Sequence, residues 1–91
     1  MAGLAETPAP GADPGPGPGT GPVVAIIGAG NSGAHAARMA MGMGARTVVL
    51  DLDLRKLEML DEEYRGGLVT LMANPANIEI AVADCDLLIG A

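Results

Sequence analysis

Three closely spaced glycines and one carboxylate are the residues of this sequence whose types and spacing could do chemistry. Gly28, Gly30 and Gly33 follow an apolar run and open a helical one, and Asp51 ends the next apolar run. The first glycine would permit a tight turn, the second a close approach to the backbone, and the third close packing of a helix on a sheet. Exposed N–H groups and the positive end of the helix dipole favour a pyrophosphate there. The pattern therefore predicts a dinucleotide-binding loop, whose remaining members are Ala29, Asn31 and Ser32.

Asp51 indicates which dinucleotide this would be. A carboxylate at the end of the second strand accepts hydrogen bonds from the hydroxyls of the adenosine ribose, and it would repel a 2′-phosphate. The sequence therefore favours NAD as the cofactor over NADP. Arg55 and Lys56 follow closely and could pair with an additional phosphate. The alternative is that the glycines form a turn without a ligand and that Asp51 merely ends a strand.

The elements that must position these residues alternate along the chain. Continuous runs rich in Val, Ile and Leu, such as 23–27 and 47–50, are typical of strands that are covered on both faces of a parallel sheet. Helical stretches separate them, with Asp53 and Asn77 as the expected caps of the second and third helices. The order strand, helix, strand, helix, strand, helix, strand predicts an α/β fold. We expect the first half of a Rossmann-type, doubly wound parallel sheet with strand order 3-2-1-4.

Composition divides the chain of 91 residues into two parts. Residues 1–21 are rich in Pro and Gly and are predicted to form a disordered tail, whereas residues 22–91 are predicted to form a partial NAD(H)-binding Rossmann domain. The net charge of −6 argues against a nucleic-acid partner. The absence of a signal peptide or a run of about 20 apolar residues predicts a protein outside the membrane. A single cysteine fits a reducing, cytoplasmic setting.

Other residues give no comparable signal. His35 is expected on a polar helix face, and Cys85 on the apolar side of the third helix as a small buried side chain. No cluster with the spacing of metal ligands is present in the sequence, so no metal site is predicted. No residue of the sequence is predicted to be catalytic.

From about residue 22 onward the sequence resembles the NAD-binding segment of alanine dehydrogenases. The segments that carry the resemblance are GAGNSG, MGMGA, VVLD, LDEEY and NPANIE, in that order. The resemblance implies an oxidoreductase that converts L-alanine, NAD and water to pyruvate, ammonia and NADH. It also implies a cytoplasmic homo-oligomer, commonly a hexamer. By position, Gly28, Gly30 and Gly33 would hold the pyrophosphate, and Asp51 would hold the adenosine ribose.

The sequence also departs from this family. Asn31 and Ser32 stand where the family usually has small or apolar residues, and their side chains could either bind a phosphate or crowd it. The family's substrate domain and catalytic residues have no counterpart in this sequence, so we expect a fragment that is inactive alone. Two alternatives are a stand-alone, non-catalytic NAD-binding module and a piece of a nicotinamide nucleotide transhydrogenase alpha subunit.

Overall fold

The computed structural model describes residues 21–91 and contains four strands and three helices in strict alternation. The predicted tail lies outside the described residues except for Gly21, whose carbonyl accepts a hydrogen bond from Arg46 Nε at 3.1 Å. The elements are β1 (Val23–Ile27), α1 (Asn31–Gly42), β2 (Arg46–Asp51), α2 (Leu54–Tyr64), β3 (Val69–Met72), α3 (Pro75–Asp84) and β4 (Leu87–Gly90).

The four strands form one parallel sheet in the order β3-β2-β1-β4, which confirms the predicted fold class and strand order. Val23 of β1 is opposite Arg46 of β2, and Val24 is opposite Leu87 of β4. Asp86, just before β4, reinforces the pairing with β1. Its N–H donates to the Val23 carbonyl, and its carboxylate accepts the Val23 N–H, both at 2.8 Å. The central position of β1 explains its continuous apolar sequence.

The two faces of the sheet are covered to different extents. Helices α1 and α2 cover one face, where Ile26 of β1 and Val49 of β2 are fully buried against residues such as Ala37 and Leu57. Among the described elements, α3 alone covers the other face, where Ala81 packs against Ala25, Val48 and Leu50. Small side chains such as alanine allow the helices to approach the sheet closely, and this compensates for the scarcity of aromatic residues.

The helix boundaries include one correction to the sequence analysis. Asn74, not Asn77, caps α3: its side-chain oxygen accepts the N–H of Asn77 at 2.8 Å. The helix begins at Pro75, because proline has a φ angle suited to the first helical position and has no N–H to satisfy there. The prediction for α2 is confirmed, since Asp53 accepts the N–H groups of Arg55 and Lys56.

Apolar side chains of α3 and β4 are more exposed to solvent than those of the central strands β1 and β2. Val82 of α3 is 43% exposed. It lies about 100° around the helix from the buried Ala81 and so points away from the sheet. In β4, which forms one edge of the sheet, Leu87 and Leu88 are exposed by about half.

Candidate nucleotide-binding site

The turn between β1 and α1 can be formed only with glycine at its first position. Gly28 has φ +115°, a conformation that residues with a side chain rarely adopt. A Cβ at this position would also lie 2.6 Å from the carbonyl oxygen of Ala91. The Gly28 N–H donates to the Leu50 carbonyl of β2 at 2.7 Å. The loop therefore leaves β1 in a direction that is fixed by backbone contacts.

The other two glycines of the loop have opposite surroundings. A Cβ at Gly33, in the first turn of α1, would collide with the carbonyl oxygen of Gly28. A Cβ at Gly30 would meet no described atom within 4 Å. The loop is thus tightly packed where α1 rests on the sheet and open where Gly30 faces outward.

Helix α1 begins with N–H groups that are not used within the helix. Its N-cap is Gly30, which has no side chain to accept a hydrogen bond. The first helical bond runs from the Ala34 N–H to the Gly30 carbonyl at 2.8 Å. The N–H groups of Asn31, Ser32 and Gly33 therefore precede the intrahelical ladder. Since these three residues are uncharged, the positive end of the helix dipole is not neutralised by its own first turn.

Asp51 lies at the carboxyl end of β2 and contacts this loop. Its Oδ2 accepts the Ala29 N–H at 2.7 Å, and its Oδ1 accepts the Asp53 N–H at 2.7 Å. These two backbone hydrogen bonds, the one from Ala29 first, lower the pKa of Asp51 below its ordinary value of 3.8. Burial opposes them, whereas the charge of Lys56 and the Leu52 N–H lower the pKa further. Asp51 is therefore ionised at neutral pH. A carboxylate has about four acceptor positions, so these bonds leave acceptor capacity for a ligand.

A cleft of about 230 Å³ lies at the carboxyl ends of β1, β2 and β3. Gly28 and Asp51 line it together with Leu52 and Ala73. Leu52 and Ala73 were not predicted from the sequence, although each directly follows a strand, β2 and β3 respectively. In open parallel sheets, ligands bind beyond the carboxyl ends of the strands, so this position was the available signal.

The structure separates the two polar side chains of the loop. Asn31 lines a second cleft, of about 310 Å³, between the start of α1 and helix α2, where Lys56 is also located. Ser32 instead lines an apolar groove between α1 and β4, which His35 shares. Of the residues selected from the sequence, Gly28 and Asp51 line the first cleft, and Ala29 and Gly30 line the second, with the hydrogen bond between Ala29 and Asp51 joining the two. Asn31 faces the neighbouring cleft, and Ser32 faces away from both.

A family model described as "Alanine dehydrogenase/PNT, C-terminal domain" matches residues 8–91 of this sequence. The chain belongs to this family. The match covers the whole described domain, so the resemblance inferred from the sequence motifs is confirmed.

Individual relatives agree with the family assignment. An alanine dehydrogenase of Staphylococcus epidermidis and alanine dehydrogenase 2 of Staphylococcus aureus are each 43% identical to this chain over 47 residues, which is 52% of this chain and 13% of theirs. A solved structure of an L-alanine dehydrogenase superposes with a TM-score of 0.72 and 39% identity, covering 74% of this chain and 19% of that one. The chain therefore spans less than a fifth of the length of these relatives. Within residues 21–91, no helix combines the length and apolar character needed to cross a membrane.

Proposed function

We propose that this chain binds NAD(H) as the nucleotide-binding segment of an alanine dehydrogenase-like oxidoreductase. One observation carries the proposal: the uncapped start of α1 and the ionised Asp51 flank the same glycine-rich loop at the carboxyl edge of a parallel sheet. The arrangement fits a dinucleotide because it offers donors for a diphosphate and acceptors for ribose hydroxyls on adjacent segments. The family assignment supports the same function.

The diphosphate is held by the start of α1. The N–H groups of Asn31, Ser32 and Gly33 donate to its oxygens, and the helix dipole stabilises their negative charge. The open space around Gly30 allows the diphosphate to approach the backbone. The Asn31 side chain is exposed beside this position and adds a further donor. The absence of a side chain at Gly33 lets α1 begin directly against the loop.

The adenosine ribose is held by Asp51. The acceptor capacity that the loop and α2 leave on this carboxylate suits the hydroxyls of an NAD ribose. A 2′-phosphate would bring like charge to the same carboxylate, and this selects NAD over NADP. Lys56 lies close enough to lower the pKa of Asp51, so it is the cation that could reduce this selectivity. Leu52 and Ala73 provide apolar surface in the same cleft for the adenosine.

The reaction itself belongs to the complete enzyme. When bound, the nicotinamide would supply the hydride acceptor for oxidation of an amino acid, here proposed to be L-alanine, which with water would give pyruvate and ammonia. Binding and orienting the cofactor is the part of this activity that the described residues perform. Because the chain spans less than a fifth of its relatives, we expect the 91-residue chain to bind NADH without alanine-dependent reduction of NAD. A cytoplasmic homo-oligomer, such as a hexamer, is proposed for the complete enzyme.

Isothermal titration calorimetry with NADH and NADPH tests the proposal. We expect the wild-type chain to bind NADH at least about tenfold more tightly, since hydrogen bonds to a charged group contribute about 1.5–3 kcal/mol each. Asp51→Ala should weaken NADH binding and narrow the preference. Gly30→Val should abolish binding of both cofactors by filling the open side of the loop.

Gly42→Ala is the matched control for the change at Gly30. Gly42 is a glycine at the other end of α1, and a Cβ there also meets no described atom within 4 Å. Its replacement should leave both affinities unchanged. Equal affinity of the wild-type chain for NADH and NADPH would remove the assigned role of Asp51. No binding of either cofactor would overturn the proposed function.

A further inference from the structure

Asp51 connects two segments that are separate in the sequence. Its Oδ2 accepts the N–H of Ala29 in the glycine-rich loop, and its Oδ1 accepts the N–H of Asp53 at the start of α2, each at 2.7 Å. Hydrogen bonds with an ionised acceptor are shorter and about twice as strong as neutral ones. The carboxylate therefore acts on the loop without any ligand.

The inner side of the loop is held by β2 at two successive positions. The Gly28 N–H donates to the Leu50 carbonyl, and the Ala29 N–H donates to the Asp51 carboxylate, both at 2.7 Å. The Ala29 side chain is buried in the core beneath α1, with 7% of its surface exposed. These contacts fix the peptide groups before Gly30. The N–H groups that follow Gly30 are the ones left facing outward.

We propose that Asp51 is a positioning residue for the phosphate-binding loop, in addition to its contact with the ribose. The carboxylate holds the Ala29 N–H and so keeps the loop in the conformation that binds a diphosphate, whether or not a ribose hydroxyl is present. This inference rests on the proposed function, because it concerns how the same site binds its nucleotide.

The two roles of Asp51 predict opposite results for a ligand without ribose hydroxyls. If Asp51 only contacted the ribose, removing it would take a negative charge away from the diphosphate, and binding would stay the same or improve. If Asp51 also positions the loop, its removal lowers the fraction of chains with a binding-competent loop. The apparent affinity then falls by that fraction. A nucleotide lacking both hydroxyls therefore separates the two roles.

The experiment is a calorimetric titration of the 91-residue chain with ADP and with 2′,3′-dideoxy-ADP. We expect Asp51→Ala to bind dideoxy-ADP about three- to tenfold more weakly than wild type does. Asp51→Asn retains one acceptor that can face Ala29, so it should recover part of this loss. Asp53→Ala is the control. It removes a neighbouring carboxylate that caps α2 and makes no contact with Ala29, so dideoxy-ADP affinity should stay within about twofold of wild type.

Amide hydrogen exchange of Ala29 without nucleotide gives an independent readout. We expect the Ala29 N–H to exchange at least about tenfold faster in Asp51→Ala than in wild type, because its acceptor is lost. Circular dichroism is used to check that each variant is folded. If Asp51→Ala is not folded, the same measurements on Asp51→Asn, which should show a smaller loss, test the inference instead. Unchanged dideoxy-ADP affinity, or an unchanged exchange rate at Ala29, overturns the inference and leaves NAD binding in place. A wild-type chain that binds neither ADP nor NADH overturns the proposed function and the inference together.

Discussion

The starts of α1 and α2 lie on either side of Asp51 and differ in whether a side chain caps them. At α2, the Asp53 side chain accepts the N–H groups of Arg55 and Lys56 at 3.0 and 3.4 Å. Helix α3 follows the same rule, with Asn74 as its cap. At α1, the capping position is occupied by Gly30, which offers no acceptor. Of the three helices within residues 21–91, two therefore have a side-chain cap at their start, and α1 has none.

This difference separates the residues that stabilise the fold from those available to a ligand. Compared with glycine at the same position, a side-chain cap stabilises a helix by a few tenths of a kcal/mol. Helix α1 forgoes this contribution at the position where the proposed diphosphate binds, so an anion can take the place of the cap. The close contact of Gly33 with Gly28 keeps the uncapped end fixed. The same comparison gives predictions that differ in size and in what they change.

The largest effect is expected from Gly33→Ala. The added methyl group would collide with the backbone carbonyl of Gly28, and α1 would have to move away from the loop. We expect a loss of about 2–4 kcal/mol in the free energy of unfolding, measured by urea denaturation. Gly42→Ala in the same helix faces open space and should gain up to about 1 kcal/mol. Similar effects of the two changes would show that α1 is not held by close packing at Gly33.

Gly30→Asp would give α1 the kind of cap that α2 has. Gly30 has a negative φ angle of −73°, so an aspartate fits its backbone. The fold should be unchanged or stabilised by a few tenths of a kcal/mol, whereas NADH affinity should fall at least about tenfold, because the carboxylate takes the position of the diphosphate. Gly30→Asn caps equally well without a charge and should lose less affinity. Undiminished NADH binding by the aspartate variant would place the diphosphate elsewhere.

Removing the existing caps of α2 and α3 should lower stability without lowering NADH affinity, the reverse of the result expected for Gly30→Asp. Asp53→Ala and Asn74→Ala should each lower the free energy of unfolding by about 1 kcal/mol, because each removes a side-chain acceptor from the start of a helix. NADH affinity should stay within about twofold of wild type, since neither side chain lies at the start of α1. Parallel thermal melts and titrations check this. A large loss of affinity without a loss of stability would contradict the division between fold and ligand.

The smallest effect concerns the pH dependence of stability. The pKa of Asp51 is lowered in the folded chain, so its charged form stabilises the fold above the ordinary value of 3.8, and this contribution is lost as the pH falls through the lower folded value. Partial exposure to solvent keeps the change small. The stability difference between wild type and Asp51→Asn should be constant from pH 7 to about 4 and narrow at lower pH. A difference that grows on acidification would contradict this assignment.

The sequence was sufficient to predict the architecture because its signals are redundant. Continuous apolar runs, glycines at helix ends and the alternation of elements all favour the same parallel sheet, and the handedness rule for crossovers leaves few strand orders. The cap of α3 was mispredicted because two asparagines precede the apolar part of the helix. Pro75 favours Asn74 as the cap, because proline fits the first helical position, which directly follows the cap, but not the helix interior.

The candidate site was less predictable than the fold. The sequence places the glycine loop and Asp51 at the same edge of the sheet, but it does not show that the carboxylate bonds Ala29 and Asp53. These contacts depend on the direction in which one short side chain leaves the strand. Asn31 and Ser32 line different grooves, because adjacent residues on a helix point about 100° apart. Cofactor binding by the loop itself stays a prediction.

The central position of β1 has a consequence for the order in which the chain folds. The hydrogen bond between Arg46, at the start of β2, and Gly21, just before β1, spans 25 residues, whereas the bond between Val23 of β1 and Asp86, just before β4, spans 63. The longer closure costs roughly 0.8 kcal/mol more in chain entropy. The bond between Ala29 and Asp51 spans only 22 residues and falls within the shorter unit. We therefore expect β1, α1 and β2 to associate first, so that the nucleotide site forms before β4 joins the sheet.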